Sequence, residues 1–197
     1  MSLLERLDGI CIILGSGSPR RRELLSGLGI SFTVDSSSNT EEVYDQEKPH
    51  DEIAETLAEL KSNGFHRPLE NGELLITADT LVLCGKSILG KPSDREEAFG
   101  MLRLLSGKTH QVVTGVCLRT LWKKHSFSCI SDVTFREISD EEIYYYIDNY
   151  HPYDKAGAYG IQEWIGYAAI SGIRGSYFNI VGLPVQMLYV ELEKFLS

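Results

Sequence analysis

The chain has 197 residues, 43% of them hydrophobic and 24% charged. That composition belongs to a globular domain and excludes disordered, collagen-like and coiled-coil chains; a chain of this length buries roughly 70% of its unfolded surface and needs neither metal nor disulfides to fold. With 19 basic and 28 acidic residues the formal net charge is −9, which argues against non-specific nucleic-acid binding and still allows a local basic site for an anion.

Ile10 to Leu14 is a continuous apolar run, the pattern of a buried strand. Gly15-Ser16-Gly17-Ser18 breaks it, and Ser18 before Pro19 reads as an N-cap with proline at the first helical position. That helix is expected to reach about Leu28, with Gly29 ending it and a strand over Ile30 to Val34. Residues 35–50 read as loop. Ile53, Leu57 and Leu60 predict a helix from Asp51 to Lys61. Leu74 to Leu83 is strand-like on both sides of Ala78-Asp79. Ser93-Asp94-Arg95-Glu96 and Ser139-Asp140-Glu141-Glu142 read as capping boxes. The first opens a helix to about Leu105, the second a helix through Ile147. His110–Leu121 and Phe127–Phe135 are β-rich runs that suit a hairpin. Residues 150–175 are rich in Gly, Tyr and charge, and Gly182-Leu183-Pro184 leads into a last helix ending near Phe195. Interleaved strands and helices predict an α/β fold with a mixed sheet, in one domain over 1–197.

The four cysteines, at 11, 84, 117 and 129, lack zinc-knuckle or CxxC spacing and read as buried free thiols of a reducing compartment. Residues 1–13 carry Glu5 and Asp8 without an A-x-A site, and no apolar run approaches 18 residues. The expected address is therefore the cytoplasm, with no membrane segment.

Several segments suit chemistry. Gly15 to Arg22 joins a strand to a helix N-terminus and carries three successive arginines. It reads either as a phosphate site or as a glycine turn with a solvated basic helix start. It lacks the GKS/T of a Walker loop, and Arg20 holds the third-glycine position of a dinucleotide fingerprint. Asp79 lies inside an apolar strand-like run, so it needs a cation, a donor network or a strand end beside a site. Lys91, in Leu89-Gly90-Lys91-Pro92, suits a phosphate or solvent. Asp154 to Gln162 reads either as a ligand-binding loop, in which the Gln162 amide can read a base edge, or as a plain surface loop. No histidine pair has zinc spacing, and Tyr144-Tyr145-Tyr146 reads as core and rim.

Taken in order, six segments resemble the Maf family of nucleoside triphosphate pyrophosphatases. They are Ser16-Gly17-Ser18-Pro19-Arg20-Arg21 with Glu23-Leu24-Leu25, Ala78-Asp79-Thr80, Leu89-Gly90-Lys91-Pro92, Met101-Leu102 with Leu105 to His110, Asp154 to Gln162, and Gly175-Ser176-Tyr177 with Asn179 and Val181 to Pro184. The resemblance implies an ITPase-like fold, a mixed sheet with two lobes flanking a nucleotide cleft, often as a homodimer. It implies hydrolysis of a nucleoside triphosphate to the monophosphate and pyrophosphate with a divalent metal, Mg²⁺ first and Mn²⁺ or Co²⁺ as alternatives. It also implies a house-cleaning role and a link to septum formation. Arg20, Thr80 and Gln162 match the subgroup acting on dTTP and UTP. Asp79 is the expected proton acceptor or metal ligand; Ser16, Arg21, Lys61 and Lys91 are expected to hold phosphates. Glu42 falls at the family's acidic position, with Glu41 adjacent, and is the expected second metal ligand. One departure follows Gln162: the subgroup pattern often continues Gln-Gly after Ile, whereas here Glu163-Trp164 follows Gln162, a bulky pair beside the expected base pocket. The competing readings are a dinucleotide-dependent oxidoreductase, disfavoured by Arg20, and a non-catalytic nucleotide sensor, which would bind triphosphate without releasing pyrophosphate.

Overall fold

The computed structural model describes residues 2–37 and 49–197. In chain order the elements are α1 (Leu3–Arg6), β1 (Cys11–Leu14), α2 (Pro19–Ser26), β2 (Thr33–Val34), α3 (His50–Asn63), β3 (Glu73–Cys84), β4 (Ser87–Leu89), α4 (Arg95–Leu105), β5 (Thr109–Arg119), β6 (Lys124–Phe135), α5 (Asp140–Tyr150), α6 (Trp164–Ala168), β7 (Ile170–Arg174), α7 (Tyr177–Val181) and α8 (Val185–Phe195). Two short 3-10 turns, Pro152–Asp154 and Ala156–Ala158, follow α5. The strands form one mixed sheet in the order β2-β1-β3-β5-β6-β7, with β4 on β3. β1 runs parallel to β2 and β3; β4 is antiparallel to β3, and β7 to β6. The α/β class and mixed sheet read from the sequence are those observed.

The chain divides into two compact units: Met1–Asp79 with Thr114–Cys129 and Gly182–Ser197, and Thr80–Val113 with Ile130–Val181. In the first unit, strand alternation sorts the core. Ile12, Leu14, Leu74, Ile76 and Ala78 face a cluster with Leu3, Leu25, Leu188 and Leu192 from α1, α2 and α8. Ile13 and Leu75 face the opposite way, with Phe65 and Leu69 just after α3. α3 buries Ile53, Ala54, Leu57 and Ala58. Its approach to β5 is close: a Cβ on Gly115 would lie 2.1 Å from the Ala54 carbonyl oxygen. Only a glycine admits the helix there.

In the second unit α4 packs against α5. Phe99 stacks on Tyr144 at 4.7 Å between centroids, and Arg95 lies over the same ring while its guanidinium binds Asp148 at 2.8 and 3.0 Å. α5 buries Ile143, Tyr146 and Ile147. Gly157, at φ +67°, sits where a Cβ would meet Val82 at 2.8 Å, so the turn after α5 lies directly on β3.

Several boundaries differ from the sequence expectation. β2 keeps only Thr33 and Val34 of the expected run, the two residues in register with Ile13 and Leu14. β3 runs unbroken through Asp79. The Ser139 capping box is present, but α4 is capped by Asp94, whose side chain accepts from the Glu97 N–H; Ser93 instead donates its N–H and hydroxyl to the Glu97 carboxylate. The expected hairpin turns at Thr120 and Lys123 (N–H to O, 2.8 Å).

Candidate active site

β1 ends against Thr77: a Cβ on Gly15 would lie 2.8 Å from the Thr77 methyl. The loop beyond it therefore leaves the sheet on small residues. Ser18 caps α2, its Oγ accepting from the Arg21 N–H, with Pro19 at the first helical position, as the sequence predicts. Ser16 is 8% exposed, and its Oγ accepts from the Ser18 N–H and from Arg21 Nη1, both at 3.3 Å. Arg21 Nε donates to the Gly182 carbonyl at 2.9 Å. The Arg21 guanidinium thus ties the loop to the residue that leads into α8 and brings Ser16 and Arg21 together. Arg20 is half-buried beside them. An eight-residue helix whose start carries a fixed guanidinium suits an anion.

Leu75, Thr77 and Asp79 share the α3 face of β3 by strand alternation. Thr77 Oγ1 donates to the Ala58 carbonyl at 2.7 Å. Further along α3, the Lys61 ammonium binds Asp79 Oδ1. The two side chains are 24% and 15% exposed, so the pair is screened from most solvent yet reachable. The carboxylate inside the apolar strand is compensated by an ammonium from the last turn of α3, which answers the cost of placing it there. Thr80, the next residue, is half-buried. Among the described residues there is no group of three or more His, Cys, Asp and Glu able to hold a metal. Glu42 and Glu41 lie outside the described residues.

In the second unit, the Gly157 N–H donates to the Gly90 carbonyl at 3.0 Å, which anchors the loop of the exposed Lys91 to the Asp154–Gln162 segment. Gln162 is exposed, in a turn closed by the Glu163 N–H donating to the Gly160 carbonyl at 3.0 Å. Tyr159 precedes the turn; its hydroxyl lies 2.8 Å from His110 Nε2. His110 is 2% exposed, and burial pushes its pKa down to about 4. Neutral at physiological pH, it packs edge-on against Phe135 and Tyr159.

The profile of the family described as "Maf-like protein" matches residues 11–195. The chain belongs to the Maf family. A dTTP/UTP pyrophosphatase of Porphyromonas gingivalis (strain W83) is 52% identical over 195 residues, 98% of each chain. A dTTP/UTP pyrophosphatase of Phocaeicola vulgatus is 53% identical over 192 residues, 98% of this chain and 100% of that one. Among solved structures, a HAM1 protein from Coxiella burnetii matches 64% of this chain and 73% of its own, with 13% identity and a TM-score of 0.41.

In this Maf chain, Ser16, Arg20, Arg21, Lys61 and Asp79 fall in the first unit; Thr80, Lys91 and Gln162 fall in the second. The departure at Glu163-Trp164 has a structural account. The Trp164 ring meets Tyr145 edge-on at 5.0 Å, and the Glu163 carboxylate binds Lys155 and the Tyr146 hydroxyl. Both side chains are engaged by their own unit. Sequence reasoning places Tyr146 in core or rim and gives Lys155 no part. The available signal is chemical: a buried phenol and a buried ammonium each require a partner.

Proposed function

We propose that this chain hydrolyses dTTP and UTP, and modified uridine nucleotides of the same base edge, to the nucleoside monophosphate and pyrophosphate. It is then a nucleotide diphosphatase with a house-cleaning role. The observation that carries this reading is relatedness at about half identity, across nearly the whole chain, to proteins named for that reaction.

The reaction needs in-line attack of water on the α-phosphorus and relief of charge on the leaving pyrophosphate. Asp79 is the proton acceptor: its carboxylate takes the proton of the water whose oxygen bonds to phosphorus, while the bond from phosphorus to the bridging oxygen breaks. Lys61, already at Asp79, is assigned with Lys91 to offset triphosphate charge. Ser16, Arg21 and the start of α2 hold a phosphate. Arg20, Thr80 and Gln162 select the base. A donor aimed at the 4-carbonyl of uracil or thymine is left unpaired by the amino group of cytosine, and an unpaired donor is costly in a desolvated site.

Asp79 offers hard oxygen donors with limited exposure, a set that fits Mg²⁺, which is often held by one or two carboxylates together with substrate phosphates. Asp79 and Glu42 would hold it, with Mn²⁺ or Co²⁺ as substitutes, and when bound it neutralises charge on the phosphate oxygens. We assign the protein to the cytoplasm, on the four free cysteines, and take a homodimer as its working state.

The test is pyrophosphate release from UTP, dTTP, CTP, GTP and 7-methyl-GTP with Mg²⁺. Release confined to UTP and dTTP supports the reading. Preference for another base overturns the assignment of Arg20, Thr80 and Gln162.

A further inference from the structure

Gln162 is the third residue of the turn Gly160–Glu163, and both ends of that turn meet one hydroxyl. The Gly160 N–H donates to the Tyr146 oxygen at 2.9 Å, and the Tyr146 hydroxyl donates to the Glu163 carboxylate. The other Glu163 oxygen lies 3.0 Å from Lys155 Nζ, whose side chain is only 10% exposed and also reaches Asp154 at 2.7 Å. The turn has little room to relax. A Cβ on Gly160 would fall 2.9 Å from the Glu163 carboxyl carbon and 3.0 Å from Lys155 Cε; one on Gly166 would fall 1.8 Å from the Ile161 carbonyl oxygen. Helix α6 therefore rests directly on the turn. Gln162 is the turn's one exposed residue. Tyr146 is fully buried, and burial together with Glu163 pushes its phenol above the ordinary range, so the hydroxyl stays protonated and keeps donating.

We propose that Tyr146, Glu163 and Lys155 are positioning residues for base selection, clamping both ends of the turn so that the Gln162 amide meets the base edge in one fixed orientation. The inference rests on the base-reading role assigned to Gln162 above. Discrimination by a hydrogen bond to the base edge depends on where the amide is held, so a free turn would not serve. It also gives Glu163, the residue after Gln162 at which this chain departs from the subgroup pattern, a definite purpose: it supplies the carboxylate that joins Tyr146 to Lys155.

The experiment uses the full chain and pyrophosphate release from UTP and CTP. Tyr146→Phe keeps the ring and removes both bonds to the turn. The ratio of kcat/KM for UTP over CTP is expected to fall about tenfold, mainly through a higher KM for UTP, with kcat within about threefold of wild type. Glu163→Gln keeps an acceptor for Tyr146 and is expected to retain most of the discrimination, whereas Glu163→Ala loses it. A purely structural role lowers the melting temperature and moves kcat for both nucleotides together with the ratio unchanged; that result overturns the proposal. Should Tyr146→Phe fail to fold, the two Glu163 variants carry the same comparison. Gln162→Ala is the reference. Discrimination lost there but kept in the clamp variants overturns the clamp alone. Discrimination kept in all of them, Gln162→Ala included, overturns the base-reading role of Gln162 and the clamp with it while the reaction stands; no UTP cleavage by wild type overturns the function reading itself.

Discussion

The Lys61 ammonium and the Asp79 carboxylate form an ion pair between the last turn of α3 and the middle of β3. Both side chains are mostly shielded, so removing one partner leaves a poorly solvated charge behind. Lys61→Ala is expected to destabilise by about 1–2 kcal/mol, between the cost for an exposed and a fully buried pair, and to lower kcat at the same time. Lys61→Arg is expected to recover the stability more fully than the activity. Urea midpoints beside steady-state rates check this; an unchanged midpoint in Lys61→Ala would remove the pair's structural role.

Gly115 and Gly100 offer a paired test of packing. A side chain on Gly115 meets the Ala54 backbone, which belongs to a helix and has no rotamer to give. Gly115→Ala is expected to cost about 3 kcal/mol or more, or to abolish soluble expression. Gly100 lies exposed in α4, and a Cβ added there would meet nothing within 4 Å, so Gly100→Ala is expected to stabilise by about 0.5–1 kcal/mol. Thermal melts of the two variants should move in opposite directions.

His110 makes the fold acid-sensitive. Burial lowers its pKa from 6.5 to about 4, so between those values the unfolded chain binds the proton and the folded chain does not. Stability therefore falls as pH drops through that window, by about 2 kcal/mol at pH 5 relative to pH 7. Glu73 and Glu142, held at about 2 by Arg67 and Arg136, lose their contribution as pH falls from about 4.5 to about 2, so they add little to a comparison of pH 7 with pH 5. His110→Gln keeps a partner for Tyr159 and removes the titration; its urea midpoints at pH 5 and pH 7 should differ by less than those of wild type.

The sequence is most legible where the physics is local. Ser18-Pro19 and the Ser139 box announce helix starts through their own capping chemistry, and the apolar runs of β1 and β3 announce a buried sheet. The cap of α4 sits one residue late because Asp94 and Ser93 both satisfy the motif, and only the backbone decides between them. α6 and β7 give no signal: β7 is a sheet-end strand with Gly172 and mostly exposed residues, so no apolar run marks it. Asp79 is legible as a misplaced charge, but the sequence points Lys61 only toward phosphate, because the two meet through the crossing of α3 over β3. Tyr146, Lys155 and Glu163 are illegible for the same reason: the bond between Tyr146 and Glu163, 17 residues apart, is set by tertiary structure. Glu42 lies outside the described residues.

Asp79→Asn keeps the shape of the side chain and an acceptor for Lys61 while removing the carboxylate that takes the proton. The decisive measurement is nucleoside monophosphate and pyrophosphate formed from UTP and dTTP by wild type and by Asp79→Asn, with melting curves showing both folded. Equimolar products from wild type and a loss of about 10²–10⁴-fold in kcat for the variant are the predicted result. Near-normal turnover in folded Asp79→Asn, or orthophosphate in place of pyrophosphate from wild type, would contradict it.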